Sequence, residues 1–202
     1  MKLYYSPGAC SMAPHIVARE TGQKVDMVKV DIPNKKTEDG GDYWKINPKG
    51  YVPALVLDDG QVLTEAGVIC QYLADRAPGS GLMAPAGSLE RYHQLEALNF
   101  AASEVHKQIG ALFNPALTPD MRQVQLAVIS RRLGSLEKML ENKQYIMGEK
   151  FSAADAYLFT VLNWTGLHKI DTSPWPNIRA YMARVAGRPA VQETLKAEGL
   201  GG

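Results

Sequence analysis

The chain is short of cysteine, of net charge and of long apolar runs, and each shortage removes a class of protein. Only Cys10 and Cys70 are cysteines among its 202 residues. They lack metal-site spacing and are too few for a disulfide framework, which fits a reducing compartment where thiols pack or act as nucleophiles. Twenty-two Lys and Arg against 21 Asp and Glu leave a formal net charge of +1. That balance offers nothing to nucleic acid, and no block of like charges suggests a membrane-binding patch. No apolar stretch is long enough to cross a bilayer, and only Lys2 precedes the first strand pattern, so no signal peptide is expected. The expectations are a cytoplasmic location, no metal, and a small molecule as partner rather than nucleic acid or membrane. Internal repeats and low-complexity segments are lacking too.

What is present suffices for one large or two small domains, since 46% of residues are hydrophobic and 21% charged. Residues 3–5 read as a strand, followed by a helix from Ser11 that tolerates Pro14 in its first turn and closes at Gly22. Residues 25–30 alternate as a strand, completing a β-α-β unit whose crossover gives a parallel pair. A polar stretch, 34–42, holds Lys35 and Lys36 and reads as a loop. After a short helical segment at 43–46, residues 54–57 and 61–63 flank Asp58-Asp59-Gly60, a hairpin signal. Residues 65–76 form an amphipathic helix with Val68, Ile69, Tyr72 and Leu73 along one side. The order β-α-β-α-β-β-α is that of a thioredoxin-like α/β domain.

Cys10 stands where the first strand turns into the first helix. Unpaired N–H groups and the positive end of the helix dipole at such a junction lower a thiol's pKa and favour the thiolate. Ser11 adds a hydroxyl beside it. The plainer reading, a small buried cysteine followed by an ordinary N-cap, stands alongside. Cys70, within a helix pattern, is most simply core.

Glycine and proline at Pro78-Gly79-Ser80-Gly81 and Pro85-Ala86-Gly87 mark a break. The expected division is a thioredoxin-like domain over 1–78, a linker over 79–87 and an all-helical domain over 88–202. Residues 88–113 read as one helix with a core seam at Leu95, Leu98, Ala102, Val105, Ile109 and Leu112. Asn99, Ser103, His106 and Gly110 form a polar or small stripe beside it, suited either to a site between packed domains or to a solvated flank. Thr118-Pro119 starts another helix. Ser152 and Asp155 read as a capping box, and residues 156–167 are apolar nearly all round, as a central buried helix is. Two closing helices carry Trp175, Ile178, Met182 and Val185, then Val191 and Leu195.

Three stretches together, Tyr5-Ser6-Pro7-Gly8-Ala9-Cys10-Ser11, Asn47-Pro48-Lys49-Gly50-Tyr51-Val52-Pro53-Ala54-Leu55 and Leu63-Thr64-Glu65-Ala66, resemble a bacterial beta-class glutathione transferase. The similarity continues to Ala197-Glu198-Gly199-Leu200. The resemblance implies glutathione as co-substrate on the first domain, a small hydrophobic electrophile in a pocket lined by the second, and a homodimer. It implies catalytic roles for Cys10, Ser11 and His106. Val52-Pro53 resembles the family's cis-proline turn, whose valine backbone pairs with the cysteinyl backbone of glutathione. Glu65 and Ala66 would take the γ-glutamyl end, with the carboxylate on the helix-start N–H groups and the ammonium on the Glu65 side chain. Ala66 stands where many relatives have a hydroxyl residue, so only its backbone serves. Lys35 matches the lysine for the glycyl carboxylate. Asn99, Ser103, Glu104, Val105, His106 and Lys107 resemble a glutathione-contacting helix, some of whose groups reach the partner subunit's ligand. Phe113 and Trp164 would edge the electrophile pocket. The implied reaction is conjugation of glutathione to electrophiles. Thiol reduction or dehalogenation through a Cys10 mixed disulfide, and a non-catalytic interaction role, remain as alternatives; Ala13, where a second cysteine would stand, argues against a dithiol cycle.

Overall fold

In the computed structural model, which describes residues 1–201, a mixed sheet is built first and a stack of helices second. Strand β1 (Lys2–Tyr5) leads through helix α1 (Met12–Glu20) to β2 (Asp26–Asp31), which lies parallel to β1 with Leu3 opposite Met27. Strands β4 (Ala54–Val56) and β5 (Val62–Thr64) form the expected hairpin, β4 running antiparallel to β1. Helix α2 (Ala66–Asp75) follows. In the sheet one element differs from the sequence reading: within 34–42, which reads as loop, Lys36–Thr37 forms β3 and pairs antiparallel with the outer edge of β2. The pairing buries Thr37 opposite Val30, which a polar composition does not announce. Strand order is β3-β2-β1-β4-β5.

Alternation along β1 separates two cores, as a period of two requires. Leu3 joins Met12, Ile16, Leu55, Ile69 and Leu73 on the side shared with the helices. Tyr4 joins Val30, Tyr43, Val52 and Ala54 on the other.

The second half is all helix: α3 (Leu89–Phe100), a π-helical segment (Ala101–His106), α4 (Lys107–Gly110), α5 (Pro119–Met139), α6 (Ala153–Leu162), α7 (Trp164–Leu167), α8 (Pro176–Ala186) and α9 (Pro189–Ala197). Ser88 caps α3 by accepting the Arg91 N–H, and Thr118 caps α5 by accepting the Met121 N–H. Every residue of α6 is buried, and α6 packs against both α1 and α2. The capping box at its start is present. The Asp155 carboxylate does more than cap: besides Ser152 it accepts the Ile146 N–H at 2.8 Å and the Tyr181 hydroxyl at 3.1 Å.

Two expected helices are interrupted. Residues 88–113 do not hold one pitch, because the π-helical turn widens the spiral. Ala101 rather than Ala102 is therefore fully buried, between Leu98 and Val105. Residues 156–167 break at Asn163, whose side chain donates to the Phe159 carbonyl, while Thr165 donates to that of Leu162. Such local bonds compete with the helix ladder, and Leu167 ends up exposed. No helix among the described residues is long and apolar enough to cross a membrane.

Candidate active site

A cleft of about 510 Å³ opens between the sheet half and the helical half. Its first wall comes from the turn before α1, the residues before β4 and the start of α2. Cys10, Lys49, Val52, Pro53, Glu65 and Ala66 line it. The opposite wall is Ala102, His106, Lys107, Gly110, Ala111 and Tyr157.

Local chain chemistry sets the first wall. Gly8 sits at φ 70°, a conformation most side chains resist. Both of its backbone polar groups are held from the helical half: its N–H donates to Glu198 Oε2 at 2.9 Å, and its carbonyl accepts from Trp164 Nε1 at 2.8 Å. Glu198 is buried and also bonds His15 Nδ1 at 2.9 Å, while Arg19 Nε donates to the other ring nitrogen. His15 Nδ1 is therefore the proton-bearing nitrogen. The Val52-Pro53 bond is cis. Glu65, directly before α2, is held at φ 70°, strain of the kind that collects at ligand sites. Its carboxylate bonds Lys49 Nζ at 2.8 Å, and that ammonium holds it below the usual carboxylate range.

Cys10 lies in the cleft, but its thiol is not activated. Its Sγ donates to the Val52 carbonyl at 3.2 Å. Burial pushes its pKa up to about 12, although Lys107 and the Cys10 and Ser11 N–H groups pull the other way. The helix-start argument thus has the right sign and is outweighed by desolvation. Cys70 is fully buried and its thiol is pushed up further.

Ser11 is turned inward, contrary to the expected role beside the sulfur. It is 0% exposed, and its hydroxyl bonds the Ser6 N–H and carbonyl, shaping the turn rather than facing the cleft. Lys35 is another departure: its Nζ donates to the Gly50 carbonyl at 2.8 Å and lies over the Trp44 and Tyr51 rings, outside the cleft lining.

On the opposite wall the widened turn decides which side chains face the cleft. His106 and Lys107 do, with Ala102. Asn99 and Ser103 are exposed outside it, the Ser103 hydroxyl bonding the Asn99 carbonyl. Val105 is core, and Glu104 is drawn to Arg132 at 2.6 Å. Trp164 stands behind His106, ring centroids 5.0 Å apart, and Phe113 packs edge-on against Trp164; neither is part of the cleft lining, Trp164 being buried and Phe113 exposed beyond it. A side-chain carbon at Gly110 would meet His106 at 3.4 Å and Trp164 at 3.5 Å. Burial, helped by Lys107, brings the His106 pKa down to about 4, so its ring is neutral.

Lys49 and Tyr157 are cleft residues that the sequence reading passed over. Lys49 stood inside the quoted motif and needed only its reach to Glu65 to be noticed. Tyr157 was hidden in an apolar run, where its hydroxyl was the sole signal.

A thioredoxin-like domain joined to an all-helical one, with a thiol and a helix start facing their shared cleft, defines a glutathione-transferase architecture. Family profiles agree: the N-terminal domain of glutathione S-transferase matches residues 3–81 and the C-terminal domain matches 100–189. Glutathione S-transferase GstA of Escherichia coli O157:H7 is 46% identical over 200 residues, covering 99% of this chain and all of that one. The bacterial beta-class glutathione S-transferase of Sphingomonas chungbukensis superposes with a TM-score of 0.95 at 46% identity, covering 99% and 100% of the two chains. A sphingomonad glutathione S-transferase solved in complex with glutathione gives the same identity, coverage and TM-score. The chain belongs to the glutathione S-transferase family.

Proposed function

We propose that this transferase holds glutathione along the sheet-side wall and joins its sulfur to small hydrophobic electrophiles resting against the helical wall. One observation carries the reading: the start of α2, with Glu65 held in a strained conformation, shares a single cleft with Val52, Cys10 and His106. N–H groups at a helix start donate to a carboxylate, and the Glu65 carboxylate, which already bonds Lys49 through Oε1, can accept an ammonium on its other oxygen. Both charges of a γ-glutamyl head are thereby met. Binding beside Val52 extends the peptide toward Cys10, where proximity to the electrophile and stabilisation of the thiolate supply the acceleration. Support for conjugation over a mixed disulfide comes from Cys10 itself, whose Sγ is engaged with the Val52 carbonyl and whose pKa is raised by burial, both of which disfavour its thiolate as the attacking group.

Residues 1–78 form the glutathione domain in this reading, 79–87 the linker and 88–202 the electrophile domain, with Trp164 and Phe113 backing its wall at His106. A homodimer belongs to the same reading, as the family resemblance implies, and the exposed Asn99 and Ser103 are then candidates for reaching the partner's ligand. A reducing cytoplasm suits the two free thiols.

The test is retention on immobilised glutathione together with turnover of a chloro-nitroaromatic compound. Cys10→Ala should keep most of the conjugation and lose any glutathione-disulfide exchange. Binding without turnover across an electrophile panel would turn the reading toward an interaction protein. Equal loss of both activities in folded Cys10→Ala would make the thiol the reacting group.

A further inference from the structure

His106 is the one cleft residue whose role depends on which ring nitrogen carries the proton, and its surroundings decide that. Nδ1 lies 2.7 Å from the Tyr157 hydroxyl. A phenol and an imidazole can share a hydrogen bond in either direction. Were Nδ1–H the donor, the phenol proton would need another acceptor. Tyr157 is 3% exposed, and among the described residues its hydroxyl has His106 as its only partner. Although Tyr157 lines the cleft, it exposes almost no surface to it, and with Nδ1 as the one protein acceptor in reach the hydroxyl spends its single proton there.

We propose that Tyr157 is a positioning residue that fixes His106 in the Nε2–H form, making His106 a hydrogen-bond donor to the cleft and not a base. The ring plane is set as well. Tyr157 and Trp164 pack edge-on against it, at interplanar angles of 75° and 74°. Gly110 leaves room on the remaining side. Burial keeps the phenol protonated and the ring neutral at ordinary pH, which agrees with the geometry.

The chemical consequence rests on the transferase reading. A neutral ring with Nδ1 occupied presents no lone pair to the cleft. His106 cannot accept the proton of the glutathione thiol, which passes instead to water in the open cleft, giving thiolate and hydronium. Nε2–H can bond the resulting anionic sulfur, or negative charge developing on the electrophile, throughout the reaction.

The experiment is a long-range ¹H–¹⁵N spectrum of the full chain labelled at its four histidines, with His106 assigned by its loss in His106→Gln. Wild type should show a protonated Nε2 and an unprotonated Nδ1 for His106. Tyr157→Phe should give a mixture of both forms and lower kcat about tenfold, less than loss of a direct donor, while KM for glutathione stays within about twofold. Added to His106→Gln, which keeps a donor near the Nε2 position, Tyr157→Phe should cost nothing further in kcat. A wild-type Nδ1–H form overturns the proposal even if the Phe variant fails to fold. An unchanged form in Tyr157→Phe, or an equal kcat loss in both backgrounds, also overturns it. The spectrum requires no turnover, so absent transferase activity would refute the functional reading without touching the tautomer.

Discussion

The two walls of the cleft are built from different materials. Backbone groups dominate the sheet side: the Val52 carbonyl, the N–H groups at the start of α2, and a turn held open by Gly8. On the helical side the working groups are side chains: His106 and Lys107, placed by one widened turn and the ring behind it, and Tyr157, placed by the buried α6. A backbone wall tolerates substitution as long as the chain path survives. A side-chain wall is exact only while its foundation holds.

Attacking that foundation should give the largest effect. Asp155→Ala leaves the Ile146 and Ser152 N–H groups without their buried acceptor, while the Tyr181 hydroxyl keeps the Asp155 backbone carbonyl. At about 1–3 kcal/mol per unpaired group, it should cost roughly 3 kcal/mol or more, read from the midpoint of urea unfolding. A loss below about 1 kcal/mol would mean that α6 does not depend on this carboxylate. The sheet side has one indispensable side chain. Glu65→Gln keeps the shape and removes the charge for the ammonium, so KM for glutathione should rise about tenfold or more with kcat nearly constant. A fall in kcat alone would assign Glu65 to the chemistry.

A pH series sharpens the contrast further. Between 6.5, the ordinary value, and about 4, the unfolded chain binds a proton that folded His106 refuses. Stability from keeping the ring neutral is therefore complete above 6.5 and is lost as pH falls through that window. Nitrogen shifts of His106 should stay constant down to about pH 5, and titration near 6.5 would contradict the buried wall. The smallest effect is expected from Ser103→Ala, exposed and bonded only to its own helix: within about 0.5 kcal/mol in stability. Any rise in KM for glutathione in that variant would report on the partner's site.

Sequence legibility divided along the same line. Alternation in β1 and β2 and the Asp58-Asp59-Gly60 turn were enough to read the β1, β2, β4 and β5 strands, while Val52, Pro53, Glu65 and Ala66 were reached through the family resemblance of their motifs. Strand β3 escaped because two polar residues at an edge carry no alternation. Nothing near Val52-Pro53 signals a cis bond, so that feature came only through resemblance. On the helical wall, a 3.6-residue period put Ala102 in the core and left Ser103 open between site and flank; with the π-helical turn Ala102 faces the cleft and Ser103 is exposed outside it. The state of the Cys10 thiol stayed open for a related reason. A helix start is a local property visible in sequence, whereas desolvation is imposed by residues far along the chain.

The clasp at Gly8 bears on biosynthesis. One of its partners is 156 residues downstream and the other 190. Emerging from the ribosome, the sheet has every strand it needs long before Trp164 and Glu198 have been translated. Domains of a nascent chain tend to fold as units in order of synthesis. A newly made thioredoxin-like half thus carries its cysteine on a turn that has yet to be clasped, and the turn takes its final form only after residue 198 has joined the fold.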